Sequence, residues 1–258
     1  MKFYGPYVQC GVADDTVSAM IKNTINQSVV AVDGVIEIYN AYFAYVPDLS
    51  TPEQLGILNT RTSNSSRSSN QLWLSFKQNG TGWDEVSFPE CPITEYSVCK
   101  LHNASYDLTV AFQDGAMKVS NYIPTVHEEV PYPSFLVNTS DPSEIVKMSY
   151  SAYMWAFTDL VVGSMGLFNE TVTYPNGTID TTSFGNIETN LKNTALLGSS
   201  DLDCFFAIDW MFNNVTWDSA SPQRQLDIDF AQNLTLHDLI AELSANLTIS
   251  LMSDVLLG

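Results

Sequence analysis

Polar and apolar positions alternate most regularly between residues 99 and 123. Tyr106, Leu108, Val110 and Phe112 interleave with Asp107, Thr109 and Ala111, the period-2 pattern of a strand with one buried face. Asp114-Gly115 then reads as a hairpin turn, since glycine accepts the positive φ of a tight turn, and Met117, Val119 and Tyr122 continue on a return strand. Leu72, Leu74 and Phe76 share one face of a strand over Gln71 to Lys77. Ser28 to Val46, rich in Val, Ile, Tyr and Phe, predicts two strands around Asp33-Gly34. Cys204 to Ile208 reads as a buried strand, and Pro131 and Pro133 make Val126 to Val137 a connector or sheet edge.

Helical spacing recurs in three places. Val17, Met20, Ile21 and Ile25 follow the cap candidates Asp14-Asp15 and predict a helix to about Asn26. Asp141-Pro142-Ser143-Glu144 combines an N-cap, a first-turn proline and a glutamate able to reach back. The helix it opens should run to about Gly163 or Gly166, with Ile145, Met148, Ala152, Trp155, Ala156 and Leu160 facing the core. Thr235-Leu236-His237-Asp238 opens a third, with Leu236, Leu239, Ile240, Leu243 and Leu247 on one face. Tyr150 to Phe168 holds one charge, Asp159, and is long enough to span a membrane. Its tyrosines, serines and threonine, with glycan acceptors on both flanks, favour a core helix. The sum is an α+β fold in one domain, an antiparallel, sandwich-like sheet centred on residues 105 to 123 and packed by two or three amphipathic helices.

The 258-residue chain is 45% apolar and only 15% charged, which is a globular composition. It carries 29 acids against 10 bases, a net charge of −19, and no two basic residues are adjacent. That excludes nucleic-acid binding, which rests on neutralising phosphates, and disfavours anionic membrane surfaces. Asn-x-Ser/Thr occurs ten times, at Asn26, Asn64, Asn79, Asn103, Asn138, Asn169, Asn176, Asn214, Asn233 and Asn246. Chance would supply about three or four, so the excess points to the secretory pathway, N-linked glycans and an extracellular or cell-surface location. Four cysteines, an even number, suit the same oxidising compartment. Of their three possible pairings, Cys91 with Cys99 and Cys10 with Cys204 would join a short local loop to a long-range tie. The first residues lack the apolar stretch of a signal peptide and the last carry no tail signal. The expectation is an ectodomain excised from a longer, membrane-anchored chain, or one whose targeting segment has been removed.

Candidate chemistry is sparse. His127-Glu128-Glu129 is not a zinc motif, because position 131 is proline, and Gly163-Ser164-Met165-Gly166 lacks the spacing of a nucleophile elbow. His102, His127 and His237 are scattered. Acid pairs stand at Asp14-Asp15, Glu128-Glu129, Asp201/Asp203 and Asp227/Asp229. They leave open a glycoside hydrolase using an Asp/Glu pair, or a calcium-dependent recognition module built on Asp201/Asp203, but in a chain this acidic the expected place for these acids is the solvated surface. No catalytic, cofactor or metal residue is assigned.

Three stretches carry a resemblance: Phe3-Tyr4-Gly5-Pro6 with Cys10; Cys99-x-Leu-x-Asn-Ala-Ser-Tyr with the Asp114-Gly115 hairpin; and Leu239 to Leu243 running on to Ser253. Together they resemble the ectodomain of a group of uncharacterised multi-pass surface glycoproteins of filamentous fungi. There, a glycosylated lumenal or extracellular region lies between transmembrane helices. The resemblance implies membrane contact only through segments outside this chain, and lends no residue a catalytic role. The expected function is a non-enzymatic ectodomain acting through binding or self-association, its partner a second copy or another surface protein. Residues 28 to 48, apolar apart from the glycan acceptor at the edge and free of bases, are the candidate contact surface, against the competing and favoured reading that they are simply core.

Overall fold

A computed structural model describes residues 1–28, 36–47, 57–58, 69–76, 93, 95–113, 116–133, 140–202, 231 and 233–257. Eight strands lie among them: β1 (Lys2–Val12), β2 (Ile36–Pro47), β3 (Ile57–Leu58), β4 (Gln71–Phe76), β5 (Glu95–Gln113), β6 (Ala116–Glu129), β7 (Gly163–Thr173) and β8 (Ile179–Thr189). The helices are α1 (Asp15–Ser28), α2 (Pro142–Val161) and α3 (Leu236–Leu257), with three short 3-10 turns between residues 190 and 202. Six strands run in the order β1-β5-β4-β2-β7-β8, while β3 pairs with β2 and β6 with β5. Every pairing is antiparallel, so the architecture is α+β as the sequence pattern implies.

β5 organises the sheet. One of its edges pairs along its length with β1, Lys2 opposite Asp107 through Val12 opposite Ser97. The other is shared: β4 takes Glu95 to Lys100, and β6 takes His102 to Gln113. Asn70 sits where the two meet, its carbonyl accepting from Leu101 N–H and its Nδ2 donating to the Val130 carbonyl. The hairpin therefore lies where the alternation placed it, although Asp114-Gly115 falls outside the described residues. The expected connector at Val126 begins as strand, since β6 extends to Glu129 before the prolines.

Period-2 alternation assigns the two faces. Tyr42, Ala44, Leu72, Leu74, Phe76, Cys99 and Leu101 join α2 and the first half of α3 in the largest core cluster. Tyr45 and Trp73 turn the other way onto Ile21 of α1. α1 starts as expected, with Asp14 accepting from Val17 N–H at 2.8 Å. β2 lies between β4 and β7, and Ala41, Tyr42, Ala44, Tyr45 and Val46 are buried. Between the two readings of residues 28 to 48 this favours core over contact surface: of the side chains described, at 41 to 47, all but the half-buried Phe43 are buried, because a sheet covered on both faces buries both sets of a central strand.

α3 does something the hydrophobic pattern did not reveal. Leu236, Leu239 and Ile240 pack on the face that holds Val8 and Leu101, whereas Ala245 and Ile249 pack on the face that holds Phe3, Ala104, Tyr106 and Leu108. The helix thus crosses from one face to the other over the outer edge of β1. Its polar residues serve that edge. Ser244 Oγ accepts from Val8 N–H at 2.8 Å, and Thr248 Oγ1 donates to the Pro6 carbonyl at 2.7 Å. Pro6 has no N–H to satisfy, so proline at this edge position costs no ladder bond. A helix covering unpaired backbone groups is one way proteins protect an edge strand. The crossing is close, for a Cβ at Gly5 would lie 2.6 Å from Thr248 Cγ2.

α2 begins at Pro142, capped by Asp141, whose carboxylate accepts from Ser143 N–H at 2.9 Å. Glu144 does not reach back to the cap and pairs with Lys147 instead, at 2.8 Å. The helix ends at Val161, and Gly163, with φ of 132°, turns the chain into β7. Its buried face is another correction. Ser151, Tyr153, Met154, Phe157, Thr158 and Val161 point inward, while Ile145, Met148, Ala152 and Ala156 are exposed. Two of the buried hydroxyls are satisfied: Tyr153 donates to the Ser244 carbonyl at 2.7 Å, and Thr158 to the Trp155 carbonyl at 2.9 Å. Among the described residues, no helix is long and apolar enough to cross a membrane.

Cys10 and Cys99 face each other across β1 and β5 and form a disulfide. This replaces the expected pairs Cys91 with Cys99 and Cys10 with Cys204, because the strand register, not loop length, decides which sulfurs meet. Cys91 and Cys204 lie outside the described residues, as does the expected strand from Cys204 to Ile208.

Candidate functional site

A cavity of about 400 Å³ lies between the first turns of α2 and the end of β6. Val146, Lys147 and Tyr150 close it from the helix, and Glu128, Glu129, Val130 and Pro131 from β6 and the segment after it. Asn103 of β5 completes the wall. A register shift in β6 shapes it. His102 pairs with Glu129 and Ala104 with Val126, so two residues, His127 and Glu128, stand opposite Asn103. The extra residue re-aims the side chain, and Glu128 Oε1 accepts from Asn103 Nδ2 at 3.0 Å. Asn103 Oδ1 in turn accepts from the Tyr150 hydroxyl at 2.9 Å. Glu129 is held by Lys100 at 2.9 Å.

The electrostatics of this acid pair bear on the hydrolase alternative. The Asn103 hydrogen bond holds the Glu128 carboxyl below its ordinary pKa. Glycosidic bond cleavage needs a carboxylic acid whose pKa is raised so that it can donate a proton. Glu128 is displaced in the opposite direction, which fits the ionised carboxylate of such a pair and not its acid. Burial, and then the charge of Glu128, raise the pKa of Tyr150. That keeps its hydroxyl a donor to Asn103.

A second cluster joins β5 to the start of α3. Ser97 Oγ donates to Glu95 Oε1 at 3.1 Å, and His237 Nε2 lies 2.8 Å from Ser97 Oγ and 3.4 Å from Glu95 Oε1. Serine, histidine and glutamate invite comparison with a hydrolytic triad, but the geometry differs. In a triad the nucleophile and the carboxylate use opposite nitrogens of the imidazole, so that a proton can pass through the ring. Here both meet Nε2, and Ser97 is fully buried. With Ser97 donating to Glu95, Nε2–H donates to Ser97. The cluster pins α3 to the sheet, with the imidazole edge-on to Phe76 at 5.6 Å between ring centres. Sequence reasoning placed His237 only in a helix cap, which Thr235 and Asp238 do form. No local signal ties it to residues 140 positions away.

The other residues singled out from the sequence are dispersed. His127 meets Ser105 at 3.0 Å on the opposite strand. His102 is half-buried in β5, and burial lowers its pKa. Asp201 is not at the surface as expected: it is buried, and its Oδ2 accepts from Leu236 N–H at the start of α3. Asp203, Asp227 and Asp229 are outside the described residues. Among the described residues, no group of three His, Cys, Asp or Glu side chains is placed to hold a metal ion.

Asn176, Asn233 and Asn246 are exposed, in the β7–β8 turn, before α3 and on α3, and Asn103 is half-exposed in the cavity wall. Asn26 lies in α1 and Asn169 in β7. Asn64, Asn79, Asn138 and Asn214 are outside the described residues. No family model, curated protein or solved structure matches the chain.

Proposed function

We propose that the chain is a glycosylated ectodomain of a secreted or cell-surface protein, similar to the fungal surface glycoproteins its motifs resemble, and that it acts by self-association through α2. The observation that carries this reading is the outward face of that helix. Ile145 and Met148, which do not line the cavity, are 48% and 42% exposed, and Ala152 and Ala156 continue the stripe. Contiguous exposed apolar residues mark interaction sites more often than they mark neutral surface. Charge selects the partner. Two chains of net charge −19 repel each other over most of their surface, yet residues 145 to 158 carry a single charge, that of Lys147. A second copy approaching across a two-fold axis would pack this acid-free stretch of α2 on its copy. The disulfide and the excess of glycan acceptors support the compartment.

The test is a concentration series by light scattering on the secreted chain, wild type against Met148→Glu. Met148 is exposed, so the substitution should change folding stability by no more than about 0.5 kcal/mol. The expected outcome is a dimer for the wild type and a monomer for the variant. A wild type that stays monomeric at every concentration, or a variant that dimerises equally well, overturns the reading.

A further inference from the structure

The cavity beside α2 has a glycan acceptor in its wall. Asn103 Nδ2, the atom to which an N-linked sugar is joined, donates to Glu128 Oε1, while Oδ1 accepts from Tyr150. Glycosylation removes one of the amide's two hydrogens. The remaining N–H can keep the Glu128 bond while the sugar leaves the same nitrogen. The surroundings suit a pyranose. Val130, Pro131, Val146 and the Tyr150 ring offer apolar surface to its C–H faces, and Ser143 and Lys147 offer polar groups to its hydroxyls and acetamido group. The volume, about 400 Å³, falls among small-ligand sites, which run from about 300 to about 1,000 Å³. Asn176, by contrast, is exposed in an open turn, where its Oδ1 accepts from Thr178 N–H at 3.0 Å.

We propose that the first sugar of an N-glycan on Asn103 sits in this cavity as a packed part of the fold, rather than swinging free in solvent. The proposal rests on the glycoprotein reading above, and its consequence is unequal access. An endoglycosidase acting on the native protein reaches a seated glycan only when the cavity opens. The full chain is secreted from a glycosylating host, and release at each site is followed by peptide mass spectrometry.

The expected result is release at Asn103 about tenfold or more slower than at Asn176, with the difference lost after denaturation. Tyr150→Phe keeps the acceptor motif but removes the hydroxyl that orients the amide, and should bring the Asn103 rate toward that of Asn176. Three outcomes overturn the seat while leaving the glycoprotein reading intact. They are an unoccupied Asn103 beside occupied Asn176, Asn233 and Asn246, equal release at Asn103 and Asn176 in the native wild type, or slow release that Tyr150→Phe leaves unchanged. Absence of glycan at all four sites overturns both.

Discussion

Gly5 should tolerate no side chain, and the reason lies entirely in α3. A Cβ there would stand 2.6 Å from Thr248 Cγ2, against the roughly 3.5–4.0 Å at which carbon atoms pack. Gly5 is not among the positive-φ glycines, so space and not backbone conformation is the obstacle. Thr248 cannot swing clear. It is β-branched in a helix, with χ1 restricted, and its hydroxyl is committed to Pro6. Gly5→Ala must therefore lift α3 from β1 by about 1 Å, an overpacking that costs about 1–3 kcal/mol. Gly11→Ala is the control on the same strand. Nothing lies within 4 Å of its Cβ position, so its effect should stay within about 0.5 kcal/mol. Thr248→Ser supplies the second test. It keeps the hydroxyl and the Asn246 acceptor motif and deletes only the obstructing methyl, at a cost of about 1 kcal/mol. The double variant should then recover about 1–2 kcal/mol relative to the sum of the single changes. Urea unfolding of the oxidised protein, followed by circular dichroism, reads all four. A Gly5→Ala effect no larger than that of Gly11→Ala, or strict additivity of the pair, would refute the crossing of α3 over the β1 edge.

Two further expectations follow from the same structure. Non-reducing peptide mapping should find Cys10 joined to Cys99, and a Cys91–Cys99 peptide would contradict the β1–β5 register. With 89 residues separating the cysteines, replacing both with alanine should cost about 4–5 kcal/mol on the chain-entropy treatment. Alkaline pH should weaken the fold through its buried tyrosines. Burial raises the pKa of Tyr45 from 10.0 to about 12, against a smaller lowering by the Thr24 hydrogen bond, and raises those of Tyr42 and Tyr106 as well. Between those values the unfolded chain loses protons that the folded chain keeps, so stability is full below about pH 10 and falls as pH climbs toward about 12. For Tyr45 alone the loss amounts to roughly 2–3 kcal/mol. A urea midpoint that stays flat from about pH 9 to about pH 12 would count against this burial.

Local patterns were readable where one physical cause dominated. The β5–β6 hairpin could be placed because one buried face enforces strict alternation, and α2 could be started at Pro142 because a cap and a proline act within one turn. The face of α2 was misread for a reason visible in its partners. Tyr153 and Thr158 look like solvent-facing residues until Ser244 and the Trp155 carbonyl are seen to satisfy them, whereas Ile145 and Met148 look like core and are exposed. β2 could be read either as core or as a contact surface, because an apolar segment looks the same whether it meets another strand or another molecule. The disulfide and the Glu95–Ser97–His237 cluster depend on strand register and on the path of α3. Neither is encoded within any short window of residues. The cavity arises from one extra residue in β6, and the only sequence signal near it was the Asn103 acceptor motif.

The compartment underlies both the self-association of α2 and the seat for the Asn103 glycan, so it merits the first measurement: the intact mass of the chain secreted from a glycosylating host, before and after enzymatic glycan release. The expected result is a species heavier than 28.6 kDa by several glycans that collapses to close to 28.6 kDa once they are removed. A chain that leaves the cell at 28.6 kDa, unchanged by the enzyme, would contradict it.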